Sequence, residues 1–224
     1  MAVPPDDRSL TSRILGWVRG GERSGTDRAR AAGPPVATKV LSKFIAAVGQ
    51  RASPVVLDLG PVVGSNVSFL GEQLGCRLLV EDLYSDLDRL TRAGQLETLT
   101  EVLSSRLTYA PESFDAILCW DVFDYLDKPA AKALGQRVGQ WVKPGGVVLC
   151  FFSTVANTAA TYTRYVITDA QHLQHRTSPA SHARRTVFQN RDIDRLFPGM
   201  AVTESVLLQN KTREVLLRKP VPKA

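Results

Sequence analysis

Cysteine, methionine and histidine are scarce in these 224 residues, numbering three, two and three. The cysteines, Cys76, Cys119 and Cys150, are scattered, and two of them stand inside apolar runs. That excludes a disulfide framework and reads as buried free thiols. His172, His175 and His182 fall in one stretch, "TDAQHLQHRTSPASHARR", but no cysteine or carboxylate completes a ligand set at matching spacing, so no metal site is expected. No apolar run approaches the length needed to cross a bilayer. Residues 1–35 lack the apolar stretch and small-residue cleavage site of a secretory signal, so the expectation is a cytoplasmic protein with no membrane span. No internal repeat is present. Aromatic residues do not interleave with the arginines in a stacking pattern, which leaves little to hold single-stranded nucleic acid.

What is present is enough for a good core. Apolar residues make up 44% of the chain, and its length suits one domain with extensions. The net charge of +6 is uneven. Residues 36–160 hold 11 Lys/Arg against 13 Asp/Glu, whereas residues 161–224 hold 11 against 5. The basic excess of the C-terminal third reads as a solvated, arginine-rich surface rather than a nucleic-acid footprint. Residues 1–35, rich in Gly, Pro, Arg and Asp, read as a flexible extension in which "SLTSRILGWV" could form a short helix.

From Val36 the texture changes. "VATKVLSKFIAAVGQ" has helical apolar spacing. "PVVLDLG" and "CRLLVEDL" read as strands on either side of a helix, "SNVSFLGEQLG", capped by Ser65 and closed by Gly75. A mostly helical stretch leads to a third strand, "FDAILCW", then the helix "KPAAKALGQRVGQWV", a "KPGG" turn and a fourth strand, "VVLCFF". Continuously apolar strands alternating with helices predict a parallel sheet covered on both faces. "AVTESVLLQ" and "TREVLLRK", joined at Asn210-Lys211, predict a closing antiparallel hairpin.

In such a sheet, ligands bind beyond the C-terminal strand ends. The first end offers Asp58 and Gly60, with Gly64 and Ser65 leading into a helix; the second offers Glu81 and Asp82; the third, Trp120 and Asp121; the fourth, Ser153 and Thr154. Two glycines let backbone approach a ligand, and free N–H groups at a helix start favour an anionic group. Acids ending the second strand suit a ribose diol. Taken alone, the first loop could equally be a tight corner; with the acids, the combination points to a nucleoside-containing cofactor. The dinucleotide pattern G-x-G-x-x-G fails, because Val62 and Ser65 stand where glycines belong.

At this point the sequence resembles the class I S-adenosylmethionine-dependent methyltransferases. "VLDLGPVVG" is similar to their first motif, "LLVEDL" to the second strand with its ribose acid, "ESFDAILCWDVFDYLDKP" to the fourth motif, "WVKPGGVVLCFF" to the following helix–turn–strand, and "FPGMAVTESVLLQNKTREVLLRK" to the closing hairpin. The resemblance covers roughly residues 36–220. It implies a three-layer α/β/α fold with a mostly parallel seven-stranded sheet ending in the antiparallel hairpin, and S-adenosylmethionine as cofactor. It places Gly60 and Gly64 beside the methionine portion, in a cofactor loop that also holds Pro61 and Asn66. Asp58 would orient that loop or meet the amino group through water. Asp82, with Glu81 as second choice, would hold the ribose, and Leu83 would flank the adenine. Trp120, Asp121 and Val122 would lie where the methyl group leaves. Asp121 and Tyr125, together with Asp124, are the candidates to handle a proton on the acceptor. The acceptor implied is a small or medium-sized molecule.

Two departures from the family pattern stand out. Pro61-Val62 replaces small residues and a middle glycine, and Ser104 or Ser105 falls where an acid often meets the adenine amine. They support a second reading, a binding or regulatory protein that keeps the fold without catalysis. RNA methylation draws on the basic C-terminal third, but "CWDVFDYL" lacks the Asn/Asp-Pro-Pro-aromatic signature of amine methylation on bases. Residues 155–190 read as an insert over the open end of the cofactor site, with Thr161–Val166 and Arg184-Arg185 as contact residues. The arginines would favour an anionic acceptor.

Overall fold

The computed structural model describes residues 33–222. The N-terminal extension, including the proposed helix at residues 9–18, lies outside them. In chain order the elements are β1 (Val36–Ala37), α1 (Leu41–Gly49), β2 (Val55–Asp58), α2 (Gly64–Ser68), β3 (Arg77–Val80), α3 (Leu83–Arg92), α4 (Leu99–Arg106), β4 (Phe114–Trp120), α5 (Lys128–Trp141), β5 (Val142–Ser153), β6 (Thr161–Asp169), β7 (His172–Pro179), α6 (Asn190–Leu196), β8 (Ala201–Leu207) and β9 (Thr212–Arg218). A π-helical turn, Phe69–Gln73, continues α2, and short 3₁₀ turns span Leu96–Thr98 and Val122–Tyr125.

Six strands form the main sheet in the order β3-β2-β4-β5-β9-β8. The first four run parallel, and β9 and β8 add antiparallel. These are the six apolar runs read from the sequence. The seventh strand implied by the family resemblance is not formed among the described residues. Leu96–Arg106 is helical, and the chain then runs without a strand to Phe114. Tyr109 instead turns its ring edge-on to Phe114 and Trp141.

Side chains alternate across the strands and build two cores. Ile117, Cys119, Val148, Cys150 and Phe152 pack with the apolar faces of α3, α4, α5 and α6. Ala116, Leu118, Trp120, Val147, Leu149 and Phe151 pack with α1, Leu70 of the π turn and the β6–β7 hairpin. All three cysteines are free and buried. Gly135 lets α5 touch α6, because a Cβ there would overlap the Leu196 carbonyl.

Local starts differ from the sequence reading where distant residues set them. Val36–Ala37 is not helical; it pairs with Leu173 and His172 of β7. The first helix begins later because the buried carboxylate of Glu214, on β9, accepts hydrogen bonds from Lys39 N (2.8 Å) and Val40 N (2.9 Å). An anion there satisfies donors at a helix start that otherwise lack partners. Helix α2 starts at Gly64 after Val63 rather than at a Ser65 cap, while Gly75 closes the turn at φ 64° as expected. The closing hairpin turns through Asn210 and Lys211, with Lys211 at φ 63° and the Asn210 side chain accepting from Thr212 N at 3.1 Å.

Residues 161–179 form the antiparallel β6–β7 hairpin, which with β1 makes a separate three-stranded sheet. Asn66, on α2, fastens it: its Nδ2 donates to Tyr165 O and its Oδ1 accepts from Ile167 N, both at 2.8 Å. No helix among the described residues is long and apolar enough to cross a membrane.

Candidate functional site

The strand order reverses direction at β2, which has β3 on one side and β4 on the other. Beyond the carboxyl ends of β2 and β4 lies the crevice where open α/β sheets bind ligands. Asp58 ends β2 and Trp120 ends β4. A register shift places Leu118 opposite Leu149 but Trp120 opposite Cys150, a bulge that re-aims the strand end. Trp120 sits at φ 50°, a left-handed conformation that costs a bulky residue about 1–3 kcal/mol.

That geometry throws the indole across the crevice. Trp120 Nε1 donates to Asp58 Oδ1 at 2.7 Å, and Gly60 N donates to the same oxygen at 2.8 Å. A Cβ on Gly60 would overlap the indole, so the glycine is required for this close approach. Tyr165 of β6 stacks on the other face, with centroids 5.3 Å apart and planes 6° from parallel, and Phe151 meets the indole edge at 5.7 Å. Burial pushes the Asp58 carboxyl up to about 7; the bonds from Gly60 and Trp120 hold it down in part, and the nearby Asp82 charge raises it further.

The second strand end is stitched to the first: Glu81 N donates to Asp58 O at 2.7 Å and Leu83 N to Leu59 O at 3.3 Å. Glu81 accepts from Tyr109 and pairs with Arg106. Asp82 caps α3, accepting from Ser85 N at 3.0 Å and Ser85 Oγ at 2.7 Å. The ends of β2, β3 and β4 therefore bring Asp58, Gly60, Glu81, Asp82 and Trp120 to one edge of the sheet.

Past Trp120 the chain enters a charged network. Asp121, 1% exposed, accepts from the Tyr84 hydroxyl and from Arg184 Nη2 at 2.7 Å. Asp124 is fully buried; its Oδ2 accepts from Ser153 N at 2.8 Å and lies 3.7 Å from Arg184 Nε. Burial, then the Asp121 charge, pushes the Asp124 carboxyl well above the carboxylate range. Burial works against the Arg184 charge, yet Asp121, Tyr165, Tyr125 and Asp124 hold its pKa above the ordinary value. Tyr125 donates to Thr161 O at 2.9 Å, and burial, then Asp121, raises its hydroxyl pKa. Arg184 is thus committed to Asp121 within the protein, and Arg185 lies 3.9 Å from Asp127.

Several residues expected at the cofactor sit elsewhere. Val122 is fully buried in the core beneath α3 and α5. Asn66 serves the hairpin. Ser105 lies on α4, exposed, donating to Val102 O at 3.1 Å rather than standing at a strand end. Leu83 is 1% exposed in the α3 core. Pro61 is buried, Val62 is exposed at 39%, and Gly64 has open space around it. The histidines part company: His172 pairs with Asp169, His175 meets the Tyr165 ring, and His182 lies between Asp88 and Tyr125. Among the described residues, no three His, Cys, Asp or Glu side chains converge to hold a metal. Tyr84 was missed by sequence reasoning; one turn into an amphipathic helix, it looked like any other core position.

A family model described as a methyltransferase domain matches residues 33–199. The ubiquinone biosynthesis O-methyltransferase of Xylella fastidiosa (strain M23) is 30% identical over 139 residues, covering 59% of this chain and 53% of that protein. Its counterpart in Xanthomonas campestris pv. campestris (strain B100) is 27% identical over 139 residues, covering 59% and 54%. The chain spans about half the length of these curated relatives. Among solved structures, a 1,6-didemethyltoxoflavin-N1-methyltransferase of Burkholderia thailandensis, with bound 1,6-didemethyltoxoflavin and S-adenosylhomocysteine, shares the fold. Its TM-score is 0.50 at 17% identity, with 98% of this chain and 92% of that one covered. An S-adenosylmethionine-dependent methyltransferase of Clostridium acetobutylicum gives a TM-score of 0.50 at 15% identity, covering 83% and 93%.

Proposed function

This chain belongs to the methyltransferase-domain family, and from that premise we propose that it is an S-adenosylmethionine-dependent methyltransferase acting on a small-molecule acceptor. The carrying observation is that Asp58 with Gly60, and Glu81 with Asp82, lie side by side at the carboxyl ends of β2 and β3, next to the switch point of the sheet. The donor set fits the cofactor chemically. The Asp58 carboxyl can accept from an ammonium, and Asp82 lies at the second strand end with lone pairs to offer a ribose diol after capping α3. The Trp120 indole lies against Asp58 and donates to its Oδ1.

When bound, the cofactor supplies an activated methyl group on a sulfonium. The chain's own residues then have little covalent work and mainly hold the acceptor in line. Asp121, with its charge shared between Tyr84 and Arg184, fixes the wall of the crevice beyond Trp120. Tyr125 keeps its proton across the neutral range, so it serves as a hydrogen-bond donor rather than a base. The relatives named for O-methylation in ubiquinone biosynthesis support a small acceptor over RNA. An anionic group on that acceptor would have to compete with Asp121 for Arg184.

Calorimetry with S-adenosylhomocysteine tests the proposal. Wild type is expected to bind, and Asp82→Ser, which retains a capping oxygen for α3, to keep its melting temperature while losing at least tenfold in affinity. No heat at millimolar ligand from the wild type or from a variant with the crevice opened would overturn the reading.

A further inference from the structure

The indole of Trp120 lies against Asp58 and Gly60, where the proposed function needs room, and it is held there by a hydrogen bond to Asp58, a stack on Tyr165 and an edge contact with Phe151. We infer that Trp120 is a displaceable plug, latched by the β6–β7 hairpin, and that a cationic ligand enters by taking the Asp58 carboxyl over from the indole. This rests on the methyltransferase reading for the identity of the ligand, but the plug itself stands on the geometry.

Four observations meet at this residue. The bond from Trp120 Nε1 to Asp58 Oδ1, at 2.7 Å, occupies the carboxyl that the proposed function offers to an ammonium. The backbone at Trp120 is strained at φ 50° on a bulge, so the closed position is held by its surroundings and not by local preference. One face of the indole stacks on Tyr165, whose strand takes two bonds from the single side chain of Asn66 and another from the Tyr125 hydroxyl. Finally, the indole edge meets Phe151 at 5.7 Å, an apolar contact with no hydrogen bond to break. Gly60 completes the device, since any side chain there would keep the indole out.

The latch makes a kinetic prediction. If the closed form dominates, apparent affinity falls by the fraction of molecules that are open, and binding waits on opening. The chain has three tryptophans, so Trp17→Phe with Trp141→Phe leaves Trp120 as sole reporter. Stopped-flow mixing of this protein with S-adenosylhomocysteine is expected to change Trp120 emission, with an observed rate that levels off as ligand rises. Asn66→Ala, which frees the hairpin, is expected to raise the plateau rate about tenfold or more. Trp120→Leu, followed by calorimetry, is expected to bind at least tenfold more tightly than wild type. Should Trp120→Leu not fold, the reporter protein and Asn66→Ala decide the matter. Ligand that binds with a strictly linear rate, no change in Trp120 emission and no response to either variant overturns the plug while leaving the methyltransferase reading intact. Ligand that binds none of these proteins overturns both. Binding to the opened variants but not to wild type supports both.

Discussion

Replacing Asp58 with asparagine should stabilise the protein, and the gain should depend on pH in a calculable way. A single oxygen of Asp58 accepts both the Gly60 and the Trp120 bonds. Asparagine can present its carbonyl oxygen to both donors and its amide where the acid carries a proton, so Asp58→Asn mimics the neutral acid. Burial raises this carboxyl from 3.8 to about 7 in the folded chain. An acid with a raised folded pKa is neutral in both states at low pH and costs nothing there. Between the two values the unfolded chain ionises and the folded chain does not, so stability falls as pH rises; above about 7 the cost is constant. Linkage then gives a penalty of about 1 kcal/mol at pH 4.5 and about 4 kcal/mol at pH 8, which Asp58→Asn removes. For a domain of this size each kcal/mol is worth about 2–4 °C. Thermal melts followed by circular dichroism should therefore show the variant ahead by a few degrees at pH 4.5 and by about 10 °C at pH 8. A difference that stays flat across this range, or a variant less stable at pH 8, would refute the assignment of a buried, largely protonated Asp58.

Arg184→Met should leave Asp121 buried without its cation and cost about 3–5 kcal/mol by chemical denaturation, with Asp121→Asn in the same chain recovering part of the loss; a single-variant cost below about 1 kcal/mol would contradict the network. Gly135→Ala should lower stability by about 1–3 kcal/mol through its clash with the Leu196 carbonyl, and urea titration should place the midpoint below wild type. Asp82→Ala, unlike Asp82→Ser, should lose the α3 cap as well as ligand affinity, lowering stability by about 1 kcal/mol; equal melting temperatures for the two variants would show that the cap contributes nothing.

The centre of the main sheet was legible because β4 and the second half of β5 are buried on both faces. Every residue of Phe114–Trp120 is buried, and such runs of apolar residues announce themselves without periodicity. The carboxylates ending β2 and β3 were legible from position alone. What could not be read was set by partners far along the chain. The start of α1 depends on Glu214, more than 170 residues away. The β6–β7 hairpin escaped because β7 is polar: "HLQHRTSP" buries Leu173 but otherwise lacks an apolar face to pair with the buried Tyr165–Ile167 of β6. The approach of the Trp120 indole to Asp58 depends on a bulge and a left-handed φ, neither of which leaves a mark in residue order. The helix at Leu99–Arg106 matches the helical reading of that stretch, and Ser105 lies on it.

The grip of Glu214 on the beginning of α1 also constrains how the molecule can be born. A ribosome delivers Lys39 and Val40 more than 170 residues before their acceptor, with β9 required besides to flank β5. Until Thr212 and its successors emerge, the nascent polypeptide carries an unpinned leading helix and a central strand with one side bare. The pinning of α1 and the flanking of β5 therefore wait on one and the same segment, Thr212–Arg218.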